Sequence, residues 1–323
     1  MNAKPEILGV KHITLAHGNG GRLMRELIEH VFARHLANPL LDVQADAVPL
    51  PTPEGEIMFT TDGFTVKPLE FPGGNIGSLA VHGTVNDLAV AGATPLYLSL
   101  NAFIEEGLEV AQLERIIESL GNAASAAGVR VVAGDTKVVP RGEGGGLYLA
   151  TTGVGVRKKN LKLDMKQIRD GDAILVSGPV GDHGIAVMLA REQFGMRGDL
   201  QSDCASVLPL TQALLPFSGL RFMRDPTRGG LATTLNEIAA QSKVAIMLDE
   251  KAIPVRSAVQ AACEMLGFDP LYVANEGKLI AIVPSESADA ILKAMRSARY
   301  GEEAVVIGEV RADPPGRVLM KTS

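Results

Sequence analysis

Phe71-Pro72-Gly73-Gly74-Asn75-Ile76-Gly77, continued by residues 78–92 and by Ala93-Thr94-Pro95-Leu96-Tyr97-Leu98-Ser99-Leu100, decides how this chain folds. Gly73 and Gly74 supply a tight turn, and Asn75 is placed to cap a helix. Ile76, Leu79, Ala80, Gly83 and Asp87 recur at helical spacing, so a buried helix is expected after Asn75. Pro95 should stop it just beyond Gly92, with a buried strand over 93–100. The polar residues of this apolar helix stand out: His82, Asn86 and Asp87. An unpaired buried charge is costly. Asp87 therefore either caps a neighbouring loop or faces a metal-phosphate group.

Working outward, strands and helices alternate. His17-Gly18-Asn19-Gly20-Gly21 reads as a flexible polar loop feeding an amphipathic helix that Asn38-Pro39 ends. Ile57 to Thr61 reads as a strand ending at Asp62-Gly63. Val110 to Ala127 reads as a helix ended by Gly128, and Val129 to Ala133 as a strand ending at Gly134-Asp135-Thr136-Lys137. Leu147 to Val156 is a further strand. The basic stretch from Arg157 to Asp170 reads as a solvated crossing between two domains, 1–157 and 158–323. Beyond it, strands are expected at 173–178, 244–248, 279–283 and 304–310. Helices are expected at 185–194, 204–215, 231–241, 257–266 and 286–298. The fold class is α/β or α+β in two domains.

Composition narrows the function. A net charge of -6 with scattered Lys and Arg argues against nucleic acid or an anionic membrane as partner. With no Trp and 4% aromatics, a base-stacking platform is a poor fit. No apolar run has the length of a membrane span or a secretion signal, so a cytoplasmic protein is expected. Cys204 and Cys263 form neither a disulfide framework nor a metal knuckle. Both are expected in helices, Cys263 as a packed thiol.

The chemistry is carried by acids. P-loop, dinucleotide fingerprint, zinc-peptidase helix and serine-hydrolase elbow are all missing from the sequence. Asp62 and Asp135 each end a predicted strand beside a glycine, and Asp87 lies in the focal helix. Carboxylates that converge repel one another unless a cation sits among them. Mg²⁺ held by carboxylates and nucleotide phosphates meets that need, with Lys137 as a point charge for phosphate. Gly181-Asp182-His183-Gly184, Arg224-Asp225-Pro226-Thr227-Arg228-Gly229-Gly230 and Asn275-Glu276-Gly277-Lys278 offer backbone donors or plain capped turns.

These runs, in this order from about residue 12 to 320, resemble the HypE family of nickel–iron hydrogenase maturation proteins. That family belongs to the superfamily of aminoimidazole ribonucleotide synthetase, selenophosphate synthetase and thiamine-monophosphate kinase. The matching runs also include Leu15 to Gly21, Thr61-Asp62 and Gly83 to Ala89. The resemblance implies an N-terminal ATP-binding domain whose sheet pairs with a second copy in a β-barrel homodimer, and a C-terminal α/β sandwich. It implies Asp62, Asp87 and Asp135 as the Mg²⁺ positions. Asn75, Asn86, Gly134, Thr136, Lys137, Asp225, Thr227 and Arg228 join the three acids as the ATP-binding set. ATP would phosphorylate the oxygen of a carbamoyl group carried on a C-terminal Cys sulfur, and loss of the amide protons would expel phosphate and leave a thiocyanate. The carbamoyltransferase HypF would supply the carbamoyl group, and the HypC–HypD complex would receive the cyano group. Glu276 and His17 are the candidate bases and Lys137 the catalytic cation.

One departure matters. Family members end in Pro-Arg-Ile-Cys, whereas this sequence ends Leu319-Met320-Lys321-Thr322-Ser323. The chain as given is therefore expected to bind ATP without carrying a carbamoyl group. Selenophosphate synthetase is a rival, weakened because residues 17–21 hold no cysteine. Aminoimidazole ribonucleotide synthetase and a non-catalytic nucleotide-binding scaffold are the others.

Overall fold

The computed structural model describes residues 9–191 and 199–322. The chain divides into two units. One comprises Met1–Leu88 with Thr94–Val156, the other Ala89–Ala93 with Arg157–Ser323.

The first unit begins with a 3-10 turn, Leu15–Gly18, and a helical segment made of α1 (Arg22–Leu27), a π-helical stretch (Ile28–Ala33) and α2 (Arg34–Leu36). Next come β1 (Glu56–Phe64), the short pair β2 (Glu70–Phe71) and β3 (Gly74–Asn75), and α3 (Ile76–Val90). β4 (Thr94–Glu105), α4 (Val110–Ala126), β5 (Arg130–Val139) and β6 (Leu147–Arg157) complete it. Asn75 caps α3 as expected. Its Oδ1 accepts from the N–H groups of Gly77 (2.9 Å) and Ser78 (3.1 Å), while Ser78 Oγ accepts from Asn75 N–H at 3.1 Å. Gly92, at φ 77, ends the helix, and Pro95 lies inside β4 rather than stopping it. A Cβ at Gly77 would sit 2.2 Å from the Ile116 carbonyl oxygen, so glycine there lets α3 press on α4.

The four strands run in the order β1-β6-β4-β5, with β4 antiparallel to β6 and parallel to β5. Leu98, Leu100, Ala102 and Ile104 of β4 are buried. Alternation puts Phe103 on the opposite face, paired with Tyr148 of β6. That face is open: Ile57 and Phe59 of β1 are 58% and 69% exposed, and Phe103 and Tyr148 are also exposed.

Several strands overrun their predicted ends, β4 running past Leu100 to Glu105. β1 passes through Asp62 and Gly63, and β5 continues through Gly134-Asp135-Thr136-Lys137 to Val139. Gly134 serves a close approach rather than a turn. A Cβ there would lie 2.4 Å from the Leu100 carbonyl oxygen on the neighbouring strand.

The second unit holds β7 (Asp172–Val176), α5 (Asp182–Ala190), α6 (Leu208–Leu214), β8 (Phe222–Arg224), α7 (Gly230–Ser242) and β9 (Ala245–Asp249). It closes with α8 (Ser257–Leu266), β10 (Ile280–Pro284), α9 (Ser285–Ser297), β11 (Val305–Arg311) and β12 (Arg317–Lys321). Its sheet runs β12-β9-β11-β7-β10-β8, antiparallel except for the β12/β9 pair. β7 and β10 are buried along their whole lengths. Ile174, Val176, Ile280 and Ile282 pack with Leu231, Leu235 and Ile238 of α7 on one face. Leu175, Ala281 and Val283 pack with Leu210 of α6 and with Ile291 and Met295 of α9 on the other. The result is an α/β sandwich.

Cys204 lies in a segment without helix or strand, contrary to expectation, because α6 begins only at Leu208. Cys263 is fully buried in α8, and burial raises its thiol pKa. The predicted end of the 185–194 helix falls outside the described residues. No helix among the described residues is long and apolar enough to cross a membrane.

Candidate functional site

In the first unit, Asp62 and Asp87 belong together. β1 sends Thr60 and Asp62 toward α3, where Thr60 Oγ1 donates to Asp87 Oδ2 at 2.9 Å. One turn earlier on α3, Gly83 has room for no side chain, because a Cβ would meet the Phe64 ring at 2.8 Å and Asp62 Oδ2 at 3.8 Å. Asp87 is half-buried, and Asn86 beside it is 1% exposed. Asp62 Oδ1 accepts from the Gly63 N–H at 2.8 Å.

Asp135 is placed elsewhere. It pairs with Asn101 in register, and Lys137 with Phe103, which puts both on the open face of the edge strand β5. Lys137 Nζ lies 2.9 Å from Asp135 Oδ2. β1 is the opposite edge of the four-stranded sheet, roughly 14 Å away by strand spacing. The three acids expected to converge thus form two groups on opposite faces within one chain. Among the described residues no cluster of three or more His, Cys, Asp or Glu is arranged to hold a metal ion.

Asp135 has other company, which the sequence reading missed. Gly134, Asp135 and Thr136 line a cavity of about 160 Å³, closed by Phe32 of the π-helical stretch and by the segment carrying Asp42 and Asp46. Thr136 is 6% exposed and its Oγ1 has no hydrogen-bond partner, so a buried hydroxyl is left for a ligand at this wall. The available signal was Asp42 and Asp46 alternating with apolar residues ahead of a proline-rich loop.

His17 does not sit in an open loop. It is 1% exposed in the 3-10 turn, with Nδ1 at 2.9 Å from Thr14 Oγ1 and Nε2 buried without a hydrogen bond. Gly18 fits against β5, where a Cβ would be 2.9 Å from that of Val138. His82 is held neutral: burial lowers its pKa to about 4.

In the second unit, three of the predicted runs are joined by one residue. Asn275, 1% exposed, accepts from Gly181 N–H at 2.8 Å through Oδ1. Its Nδ2 donates to the Pro226 carbonyl at 2.9 Å and to that of Val273 at 3.2 Å. Thr227 and Arg228 follow Pro226 in the turn before α7, where Gly230 N–H donates to the Thr227 carbonyl at 3.0 Å. Arg224 pairs with Glu237 at 2.7 Å, and Asp225 is half-buried. Asp182 is buried; desolvation raises its pKa, and the Arg256 side chain at 3.0 Å opposes this. His183 is pushed down by burial, against the nearby Asp203 charge, and its Nδ1 lies 2.8 Å from Ser202 Oγ. Glu276 N–H donates to Asp203 Oδ1 at 3.0 Å. A cavity of about 480 Å³ lies beside this loop, lined by Asp182, Asp203, Cys204, Arg256 and Lys278 among others.

This geometry offers two groups of acids, a lysine and an unpartnered hydroxyl in one unit, and a braced carboxylate loop in the other. The chain matches the family models for the N-terminal domain of AIR synthase related proteins over residues 44–157 and for the C-terminal domain over 169–321. It is 52% identical to the carbamoyl dehydratase HypE of Azotobacter vinelandii over 311 residues, covering 96% of this chain and 91% of that protein. A crystal structure of the hydrogenase maturation protein HypE in complex with ATP superposes with a TM-score of 0.92 at 46% identity, covering 96% of this chain and 94% of that one. HypE from a HypE–HypF complex superposes with a TM-score of 0.80 at 44% identity, over 92% and 96% of the two chains. Family models that match both domains and this degree of identity place the chain in the HypE family of carbamoyl dehydratases, built on the AIR synthase related fold.

Proposed function

We propose that this protein uses ATP to dehydrate a carbamoyl group on a cysteine sulfur to a thiocyanate, supplying cyanide for the iron of a nickel–iron hydrogenase. The observation that carries this reading is 52% identity to a carbamoyl dehydratase along nearly the whole chain. The cavity floored by Gly134-Asp135-Thr136 supports it. ATP is assigned to residues 1–157 and the Glu276 loop to residues 158–323. The carbamoyl oxygen takes the γ-phosphoryl group, the C–O bond breaks with phosphate as leaving group, and two amide protons depart.

Mg²⁺ would shield the phosphate charge. Within one chain no three acids among the described residues form a ready cluster for it, so the carboxylates offered are Asp62 with Asp87 near α3 and Asp135 at the other sheet edge, each meeting the ion together with phosphate oxygens. Lys137 adds positive charge beside Asp135. Asn75 is committed to capping α3, which leaves it a structural role. Glu276 is the favoured base and His17 the alternative. Asp225, Thr227 and Arg228 remain candidates for phosphate contacts.

The open face of the four-stranded sheet supports a homodimer in which two such faces close on each other. Ile57, Phe59, Phe103 and Tyr148 would otherwise present an apolar surface to water. HypF as carbamoyl donor fits the HypE–HypF complex on which this chain superposes. The HypC–HypD complex as acceptor and a cytoplasmic location complete the proposal. Isothermal titration with Mg-ATP tests the nucleotide site. Asp135→Asn should weaken binding at least about tenfold, a loss of about 1.4 kcal/mol, with the circular dichroism spectrum retained. Unchanged affinity would remove Asp135 from the site.

A further inference from the structure

Asp203 touches three consecutive residues of the Glu276 loop. Its Oδ1 accepts from the Glu276 N–H at 3.0 Å. Its own carbonyl oxygen occupies the space beside Gly277, where a Cβ would come within 1.9 Å. Its Oδ2 lies 3.4 Å from Lys278 Nζ. The Asp203 side chain is 3% exposed and that of Lys278 11%, so the ion pair is largely shielded from solvent screening. The segment bearing Asp203 is itself anchored, since Ser202 Oγ bonds His183 Nδ1 at 2.8 Å and accepts from Cys204 N–H at 3.0 Å. Asn275 fixes the same loop from its other end, at Gly181 and Pro226.

We infer that Asp203 is a positioning residue for the reaction, holding the Glu276 backbone and the Lys278 ammonium in fixed places relative to each other. The inference rests on the reading of Glu276 as base. An ordinary capped turn needs one backbone bond. Here one buried carboxylate holds the backbone of the proposed base with one oxygen and a cation two residues on with the other. Loss of the carboxylate frees both, and a displacement of the base by about 1 Å costs on the order of a hundredfold in rate. Among the described residues, Asp203 makes no hydrogen bond or ion pair with those assigned to ATP, so affinity for ATP should not move.

The test compares Asp203→Ala, Asp203→Asn and Glu276→Gln by single-turnover dehydration in protein extended by a Pro-Arg-Ile-Cys ending and carbamoylated on that cysteine. Asp203→Ala should lose on the order of a hundredfold in rate at saturating ATP, with the KM for ATP within about twofold of the parent. Asp203→Asn keeps an oxygen acceptor for the Glu276 N–H and should recover most of that loss. A parent-like rate in Asp203→Ala, with Glu276→Gln inactive, would overturn the clamp and leave Glu276 as base. A parent-like rate in Glu276→Gln would overturn both. Equal losses in the Ala and Asn variants, matched by equal falls in Tm, would make Asp203 a stability residue only.

Discussion

Asn275→Ala should uncouple three loops at once. The side chain is 1% exposed and makes three hydrogen bonds, to Gly181 N–H, the Pro226 carbonyl and the Val273 carbonyl. Truncation leaves the buried Gly181 N–H without an acceptor and the Val273 carbonyl without this donor. The Pro226 carbonyl keeps the Asn275 N–H at 3.3 Å. At about 1–3 kcal/mol for each buried group left unsatisfied, two such groups give a loss of about 2–6 kcal/mol. For a unit of this size, at about 2–4 °C per kcal/mol, that corresponds to a fall in Tm of about 4–24 °C. The protein has no Trp, so far-UV circular dichroism is the suitable probe. A change smaller than about 0.5 kcal/mol, the range of ordinary surface substitutions, would refute the claim that Asn275 holds these loops together.

Two further outcomes follow from the first unit. His82 has a folded-state pKa of about 4 against an ordinary 6.5, and its Nδ1 is buried without a partner. Proton uptake therefore favours the unfolded chain. Stability present above about pH 6.5 should be lost toward pH 4, at up to about 1.4 kcal/mol per pH unit for one proton, and His82→Leu should flatten that slope in urea melts at several pH values. A slope unchanged by the substitution would show that other groups set it. Phe59→Glu places a charge on the most exposed aromatic residue of the open sheet face. Sedimentation velocity should show a dimeric parent and a monomeric variant, and a variant sedimenting with the parent would move the dimer contact elsewhere.

Periodicity and capping were legible in the sequence. Asn75, Gly92, Gly128 and the 257–266 helix stand where their residue types require. Strand ends were less so. A glycine beside an aspartate reads as a turn, but at 134 it answers a neighbouring carbonyl that no local pattern reveals. β8 escaped notice because three residues carry no period. The antiparallel order of the second sheet depends on long-range pairing, which alternation of strands and helices does not encode. The site divided the same way. Single motifs located Asp62, Asp87 and Asp135, yet their faces depend on strand register, so the sequence suggested one cluster where the chain makes two groups. Asp203 and Asn275 act through buried hydrogen bonds to backbone distant in sequence, and only the folded chain shows those.

The central claim is ATP-dependent removal of water from a carbamoylated cysteine, and intact-protein mass spectrometry reads it directly. Protein extended by a Pro-Arg-Ile-Cys ending and carbamoylated on that cysteine, incubated with Mg-ATP, should become lighter by one water as ADP and phosphate accumulate, and should stay unchanged without ATP. A carbamoyl mass that persists while ATP is consumed, or that falls equally without ATP, would contradict the account.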